Sequence, residues 1–323
     1  MTENVFKWAF IGAGGIARSV AKRITEKSGH KIVAVYNRTF ERARKLADSY
    51  GAKAYDGLEQ AITESGADGV YINVTNNAHY DCCLRALDCG KPVLMEKPFT
   101  TNAQQARELF ALAEKKGTYL CEAMWTWFSD QAAGVKNAVD SGEIGKIKSG
   151  EITLCLPIAF GKSSRLLKSE LAGGALLDLG VYPVTYAYRL FGMPDNIKSS
   201  ARFKFGVDMS DDITFEYGGF DINIKISVRS LRGVGERLVL IGDKGRITAG
   251  AYHSGGGFTV KANGKKVRRA PDRNAMLTQF DRVADEVRGG KTKSEFVPPE
   301  ATIAIMELLD SIRSATGLKF SFE

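Results

Sequence analysis

Apolar runs of strand length alternate with amphipathic segments along the first 125 residues. The runs include VFKWAFI (5–11), KIVAVY (31–36) and PVLME (92–96). Between them lie stretches such as TFERARKLADSYG (39–51), in which apolar residues recur at helical spacing. Strands that alternate with helices in this way predict right-handed crossovers and a parallel, doubly wound sheet.

The pattern changes from about residue 126 onward. A short helical pattern over 130–141 leads into runs of alternating apolar and polar residues, among them DDITFEYG (211–218). Gly-Asp-Lys-Gly and Asn-Gly turns between these runs favour an open, mostly antiparallel sheet. Two helices are expected to close the chain, and the last of them should end near Gly317.

The length of 323 residues also favours two domains, because single compact cores seldom grow that large. We predict an α/β domain of the Rossmann type over 1–125 and an α+β domain over 126–323 that binds substrate and forms the oligomer. A wide sheet with one face not covered by helices would expose apolar surface. This feature predicts a homodimer or homotetramer formed through the second sheet.

The first apolar run leads directly into GAGGIA (12–17), which fits the pattern G-x-G-x-x-G/A. Gly12 permits a tight turn, Gly14 lets the backbone approach a pyrophosphate, and the last small residue allows close helix packing. The amino end of the helix, at Gly15 and Ile16, would offer amides and a positive dipole to the phosphates. The strand–turn–helix context favours a dinucleotide site over a simple tight turn.

The second strand ends at Asn37 and Arg38, about 20 residues after the glycines. An enzyme that uses NAD normally places Asp or Glu at this point, and the chain carries neither there. Arginine can hold a 2′-phosphate through two parallel hydrogen bonds. These residues predict NADP(H) rather than NAD(H) as cofactor; the alternative is that Arg38 only caps the strand end.

Two further strands end in the polar segments VTNNAHY (74–80) and MEKPF (95–99). Ligands of doubly wound sheets bind outside the carboxyl ends of the strands. Because Pro98 disfavours a helical conformation at Lys97, the chain should leave the sheet extended or turned. Lys97 is then expected to point into the crevice where a nicotinamide lies; the alternative is an ordinary surface lysine.

The net charge of +8 is compatible with nucleic acid or with an anionic small ligand. The basic residues are scattered, and their densest cluster (261–273) resembles a solvated hairpin, so we expect a small molecule and no nucleic acid. The five cysteines and three histidines show no metal-binding spacing, so no metal site is predicted. Neither a membrane span nor a signal-like segment is evident, so we expect a cytoplasmic protein without membrane contact.

A second candidate for chemistry lies in AGGALLDLGVYPVTYAYRLFG (172–192). Asp178 and Tyr182 interrupt its apolar pattern four residues apart, so both should project from one helix face. Taken alone, the two residues are better explained as a structural ion-pair partner and a core aromatic. Only in combination with the nucleotide-binding pattern, Lys97 and a resemblance to a known family do they favour a catalytic pair.

These motifs resemble the glucose–fructose oxidoreductase/inositol dehydrogenase (Gfo/Idh/MocA) family over nearly the whole chain. The resemblance rests on the glycine turn, Thr75-Asn76 with His79, Glu96-Lys97-Pro98, EAMW (122–125) and GGALLDLGVYP (173–183). The last two motifs are similar to a branch with dimeric dihydrodiol dehydrogenases and NADP-dependent xylose dehydrogenases, where tyrosine replaces the histidine of inositol dehydrogenases. The resemblance implies that the lysine and the tyrosine act in hydride transfer. It also implies cofactor contacts from Thr75, Asn76, His79 and Glu96.

The chain departs from this branch at two points near the expected substrate mouth. Trp127 stands where the branch commonly has arginine, and VTNNAHY lacks the proline often found before the asparagine. These departures bear on the substrate more than on the cofactor. We expect Trp125, Phe160 and Arg165 to contact the substrate; core packing explains the two aromatic residues equally well.

Hydride transfer at an alcohol carbon requires a proton acceptor or donor and a group that stabilises the alkoxide. The pKa of a phenol is ordinarily about 10, and a cation such as Lys97 beside Tyr182 would lower it. Asp178 would hold Lys97 or the substrate by a charged hydrogen bond. We therefore predict an NADP(H)-dependent oxidoreductase for a sugar, polyol or vicinal diol; the alternative is a non-catalytic NADP(H)-binding sensor or scaffold.

Overall fold

The computed structural model describes residues 5–26, 29–159, 161, 164–229 and 235–323. The chain forms two compact units, each with its own sheet. The first comprises Met1–Met124 with Met276–Ile303, and the second comprises Trp125–Ala275 with Ala304–Glu323. Within the described ranges, no helix is both long enough and apolar enough to cross a bilayer.

The first unit contains a six-stranded parallel sheet, which confirms the predicted doubly wound fold. Its strands are β1 (Phe6–Ile11), β2 (His30–Tyr36), β3 (Lys53–Tyr55), β4 (Gly69–Ile72), β5 (Val93–Glu96) and β6 (Leu120–Ala123). The helices between them are α1 (Gly15–Thr25), α2 (Phe40–Asp48), α3 (Leu58–Thr63), α4 (His79–Asp88) and α5 (Ala103–Lys116). The strand order is β3-β2-β1-β4-β5-β6, so the direction of winding reverses between β1 and β4.

Burial along these strands follows from their place in the sheet. Strands β4, β5 and β6 are buried at every position, as expected where helices cover both faces. The edge strand β3 was not predicted, because its three residues, KAY, are too few to show a period.

The second unit contains an eight-stranded mixed sheet, which confirms the predicted open and mostly antiparallel arrangement. Its strands are β7 (Ile147–Cys155), β8 (Asn196–Lys204), β9 (Val207–Tyr217), β10 (Phe220–Ser227), β11 (Glu236–Gly242), β12 (Gly245–Gly250), β13 (Phe258–Ala262) and β14 (Lys265–Arg269). Neighbours in the order β14-β13-β12-β11-β7-β10-β9-β8 pair antiparallel, except that β7 and β10 pair in parallel. The unit also contains helices α6 (Asp130–Asp140) and α7 (Val181–Phe191).

The last two helices, α8 (Ala275–Arg288) and α9 (Pro299–Thr316), are each divided between the units. The sequence-based division assigned 276–303 to the second domain, whereas the structure groups this segment with the first unit. Phe280 of α8 lies edge-on to Trp8 of β1, with ring centroids 5.1 Å apart. Such contacts attach a segment that is distant in sequence to the first sheet, and local sequence patterns do not predict them.

Candidate functional site

Residues predicted to bind the cofactor follow four of the six strands of the first unit. Gly12 follows β1, Asn37 follows β2, Thr75 lies beyond β4, and Lys97 follows β5. These strands are parallel, so their carboxyl ends share one edge of the sheet. That edge includes the point between β1 and β4 where the winding reverses, the usual position of a nucleotide in such sheets.

Gly12 has the geometry expected for the tight turn. Its φ angle of +118° favours glycine, and a Cβ placed there would lie 2.6 Å from the carbonyl oxygen of Asn73. The amide of Gly12 donates to the carbonyl of Tyr36 (2.8 Å), and the amide of Ala13 donates to the Asn37 side chain (3.3 Å). Both hydrogen bonds connect the glycine turn to the end of β2, while the Gly12 backbone lies close to Asn73, just beyond β4.

The next residues form the amino end of α1. A Cβ added to Gly14 or to Gly15 would meet no atom of the described chain within 4 Å, so a ligand can approach this backbone closely. Ile16 is half-buried in the first helical turn, and Ala17 is fully buried. The arrangement has the open backbone, the helix amides and the close helix packing that a bound pyrophosphate requires.

A cavity of about 480 Å³ opens beside this turn. Its lining residues come from the turn, α1 and α2: Ala13, Gly14, Gly15, Arg18, Arg42, Lys45, Leu46 and Ser49. Three of these described side chains are cationic and none is a carboxylate, so the cavity favours an anion. The residues present therefore fit a phosphorylated nucleotide.

Sequence reasoning identified one cation in this region and missed three. Arg38 is exposed just after β2 and does not itself line the cavity. Arg42 and Lys45 were overlooked, although they lie about one helical turn apart on α2, within seven residues of Arg38 in the sequence. Arg18 was also overlooked; its guanidinium donates to the carbonyl of Ala13 at 3.2 Å.

His79 is fully buried at the start of α4, between the ends of β4 and β5. Its Nδ1 lies 2.8 Å from the carbonyl oxygen of Pro98, and its Nε2 lies 3.3 Å from that of Val74. The imidazole thus links the two segments that carry the predicted cofactor residues. This position fixes the backbone immediately after Lys97.

The other predicted residues of the first unit lie on the same two segments. The Thr75 hydroxyl lies 2.8 Å from the side-chain oxygen of Asn77, and Asn76 is buried in the turn that precedes α4. Glu96 is buried and accepts a 2.6 Å hydrogen bond from the Tyr71 hydroxyl. Lys97, half-buried, follows Glu96 at the end of β5.

Glu122, near the end of β6, is a buried acid that belongs to the EAMW motif but was given no role in the sequence analysis. Its Oε2 accepts a 3.0 Å hydrogen bond from the Thr302 hydroxyl. Burial raises the pKa of Glu122 to about 7, against the opposing effect of the hydrogen bonds from Thr302 and from the Phe99 backbone. A weaker effect of Lys97 also opposes the shift, whereas Glu96 adds to it.

Glu122→Gln should change how stability depends on pH. The folded pKa of about 7 exceeds the ordinary value of 4.5, so the wild-type free energy of unfolding falls as pH rises between these values. The variant lacks this loss. Between the lower and the upper pH, its free energy of unfolding should therefore rise by about 3 kcal/mol relative to that of wild type. Urea unfolding at both ends of the range measures the gain. The exposed Glu114→Gln is the control, and an equal gain there would contradict the assignment.

The helix that carries Asp178 and Tyr182 has an unusual start. Residues Leu176–Gly180 form a π-helical turn, in which the amide of Val181 bonds to the carbonyl of Leu176, five positions earlier. The α-helix α7 begins only at Val181. The helical backbone continues from the π-helical turn into α7, so Pro183 removes one amide donor inside this segment. Asp178 therefore belongs to the π-helical turn and Tyr182 to α7.

Asp178 forms an ion pair with Arg165, with 2.5 Å between its Oδ1 and Nη2 of the guanidinium. The carboxylate side chain is 7% exposed, whereas the arginine side chain is 45% exposed. Two predicted site residues are thus brought together, although the expected partner of Asp178 was Lys97 or the substrate.

Tyr182 is buried among aromatic rings of the second unit. The Trp125 indole is stacked on it, with centroids 5.7 Å apart and an interplanar angle of 21°. The His253 ring lies 5.1 Å away on a tilted plane, and its carbonyl accepts a 2.7 Å hydrogen bond from Trp125. Nδ1 of His253 in turn lies 2.8 Å from Oε2 of Glu236. Nothing in the sequence pattern connected His253 or Glu236 with Tyr182.

Phe160, which was predicted to contact the substrate, lies outside the described residues. Trp127 lies beneath the Arg189 guanidinium, which is 4.8 Å from the ring centroid and also donates to the carbonyl of Thr126 at 2.8 Å. The position where the branch commonly has arginine is therefore in contact with an arginine from α7.

The described residues contain no group of three or more His, Cys, Asp or Glu side chains placed to hold a metal ion.

Two family profiles match the chain. Residues 6–123 match an oxidoreductase family described as having an NAD-binding Rossmann fold, GFO_IDH_MocA. Residues 133–248 match the GFO/IDH/MocA C-terminal domain. The matched segments lie on the two sheets described above and agree with the predicted resemblance.

Similar proteins cover nearly the whole chain. A D-xylose 1-dehydrogenase (NADP(+)) from Hypocrea jecorina is 27% identical over 97% of this chain and 93% of its own. A trans-1,2-dihydrobenzene-1,2-diol dehydrogenase from Mus musculus is also 27% identical, over 97% of this chain and 98% of its own. The chain is also similar to the crystal structure of a 3-ketoreductase from Actinomadura kijaniata, solved with NADP and TDP-benzene. The TM-score is 0.87 at 22% identity, and the match covers 97% of this chain and 98% of the other. This structure shows a shared fold.

Proposed function

The chain belongs to the GFO/IDH/MocA family of NAD(P)-dependent oxidoreductases, and we propose that it transfers hydride between NADP(H) and a sugar, polyol or vicinal diol. The observation that carries the proposal is the glycine turn at the β1/β4 reversal, beside a cavity with three cations. The named activities of the xylose and dihydrodiol dehydrogenases support the substrate class. Both act on carbons that bear hydroxyl groups.

The first unit supplies the cofactor contacts in this proposal. Gly14 and Gly15 offer backbone amides to the pyrophosphate, while Arg38 and Arg42 hold the 2′-phosphate. Thr75, Asn76, His79 and Glu96 shape the rest of the sheet edge. When bound, the nicotinamide accepts or supplies the hydride.

Lys97 and Tyr182 supply the proton chemistry. In oxidation, Tyr182 acts as a phenolate whose oxygen takes the proton from the substrate hydroxyl and becomes a phenol; in reduction, the phenol donates its proton to the new alkoxide and becomes a phenolate. The Lys97 ammonium donates a hydrogen bond to the same substrate oxygen and stabilises its negative charge. Asp178 orients the helical turn that precedes Tyr182 through its ion pair with Arg165. No metal ion takes part in the proposed mechanism.

Arg38→Ala tests the cofactor assignment. Loss of a charged hydrogen bond to the 2′-phosphate should weaken NADPH binding by about 10- to 100-fold and leave NADH binding nearly unchanged. Arg42→Ala should do the same if both arginines hold the phosphate. Titration of protein fluorescence with each nucleotide gives the two affinities.

Arg44→Ala is the matched control for both variants. Arg44 lies on α2 with Arg42, pairs with Glu41 and does not line the cavity, so both affinities should stay at the wild-type value. If Arg38→Ala and Arg42→Ala weakened NADH and NADPH equally, the proposed preference for NADP(H) would be wrong.

The second candidate function is a non-catalytic NADP(H)-binding sensor or scaffold with the same fold. Fold alone does not guarantee activity, because function depends on the site. Lys97 and Tyr182 together favour an enzyme. Consumption or production of NADPH with a panel of sugars and diols distinguishes the two functions.

We also propose that the chain forms a homodimer or homotetramer through the second sheet. Its outer strands expose apolar side chains, including Phe203 at 47% and Val267 at 40%. A cytoplasmic location remains part of the same proposal.

A further inference from the structure

A buried carboxylate lies at the amino end of the helical segment that carries Asp178 and Tyr182. Asp208, on β9, is 0% exposed. Its Oδ2 accepts hydrogen bonds from the amides of Ala175 (2.8 Å) and Leu176 (2.6 Å). The first amides of a helix have no partner within the helix, so Asp208 provides the partner for two of them.

The glycine pair that precedes this segment is explained by the same contact. A Cβ at Gly174 would lie 2.0 Å from Oδ1 of Asp208, and φ at this residue is +115°. A Cβ at Gly173 would lie 2.6 Å from the carbonyl oxygen of Arg165. The backbone is therefore held between Asp208 on one side and the residues around Arg165 on the other.

A second buried acid accompanies the first. Asp211 is 1% exposed and close enough to Asp208 for the two side chains to share a hydrogen bond. Within the described part of the chain, neither Asp211 oxygen nor Oδ1 of Asp208 has any other hydrogen-bond partner. Two carboxylates cannot donate to each other, so this contact requires a proton on one of them.

The proton belongs mainly to Asp211. Burial raises the pKa of Asp211 to about 9, and the negative charges of Asp208 and Asp212 add to the shift. Burial raises the pKa of Asp208 as well, but its two hydrogen bonds from the helix amides oppose that shift and favour its ionised form. The shared proton therefore lies mainly on Asp211 and the negative charge mainly at the helix amides.

We propose that Asp208 is a positioning residue for Tyr182, because its carboxylate fixes the amino end of the π-helical turn. The link to Tyr182 rests on the proposed function. The anchoring of the helical segment does not depend on it.

The two aspartates should differ in their response to the same substitution. In Asp211→Asn, the new amide still donates to Asp208, and the negative charge stays at the helix amides. In Asp208→Asn, the charge at the helix amides is lost, so their hydrogen bonds weaken. The substitutions are alike in size, which makes each variant the control for the other.

Hydrogen–deuterium exchange of the Ala175 and Leu176 amides tests the anchor without any substrate. Asp208→Asn should accelerate their exchange by about 10-fold or more, and Asp211→Asn should leave it near the wild-type rate. Equal rates in the two variants would overturn the anchoring role.

Steady-state kinetics then test positioning. With a substrate found in the NADPH screen, Asp208→Asn should lower kcat by about 10- to 100-fold, with KM and NADPH affinity unchanged. An unchanged kcat despite faster amide exchange would overturn the positioning claim. If no substrate is turned over, the proposed function fails, while the exchange measurement still decides the anchor.

Discussion

Tyr182→Phe should reduce kcat by about 10²- to 10⁴-fold, because the substitution removes the group that exchanges a proton with the substrate oxygen. The ring itself remains, so its stacking on Trp125 at 5.7 Å and its contact with His253 at 5.1 Å should persist. NADPH affinity and the folded structure should therefore stay at wild-type values. Steady-state rates and a nucleotide titration of the same preparation check both parts.

Tyr186→Phe is the matched control for this variant. Tyr186 lies one turn further along α7, and its hydroxyl is within hydrogen-bond distance of Gln131 (2.7 Å) and of the Tyr252 carbonyl (2.8 Å). It should lose some stability but retain most of its turnover. Wild-type turnover in Tyr182→Phe, or equal losses in the two variants, would show that the phenol of Tyr182 carries no proton.

Lys97→Met should lower kcat by about 10²- to 10³-fold, the usual effect of removing one donor to a developing oxyanion. Methionine keeps most of the aliphatic chain beside the end of β5 and removes the charge. The loss should appear in kcat more than in KM, because the ammonium acts most strongly on the alkoxide.

Lys91→Met provides a comparison within the same strand region. Lys91 precedes β5 at its other end, where its ammonium donates to the carbonyl of Ala67 at 3.0 Å. Its kcat should remain at the wild-type value. If the Lys97 variant lost only NADPH affinity, lysine would serve as a cofactor contact without a part in the chemistry.

The sequence predicted those parts of the fold that depend on local periodicity. Alternating strands and helices indicated the parallel sheet, and short runs with Asn-Gly turns indicated the antiparallel one. The strand β3 was missed because its three residues are too few to show an alternation of apolar and polar positions, and it is recognised only by its pairing with β2. The place of α8 depends on contacts such as Tyr119 with Glu286, 167 residues apart, which local patterns do not encode.

The candidate site was predictable where one segment contains the whole motif. The glycine turn and the lysine at the end of β5 are such cases. Asp178 was recognised from its helical spacing, but its partner Arg165 lies in a three-residue 3-10 turn that is too short to show a period. Asp208 and Glu122 read as ordinary polar residues, and their importance appears only when burial is known.

The central claim is that this chain oxidises or reduces a hydroxyl-bearing carbon with NADP(H), using Lys97 and Tyr182. The most direct measurement follows the absorbance of NADPH while wild type, Lys97→Met and Tyr182→Phe are mixed with sugars, polyols and vicinal diols. We expect turnover of at least one compound by wild type and its near-complete loss in both variants. Tight NADPH binding without turnover of any compound, or equal turnover by all three proteins, would contradict the claim.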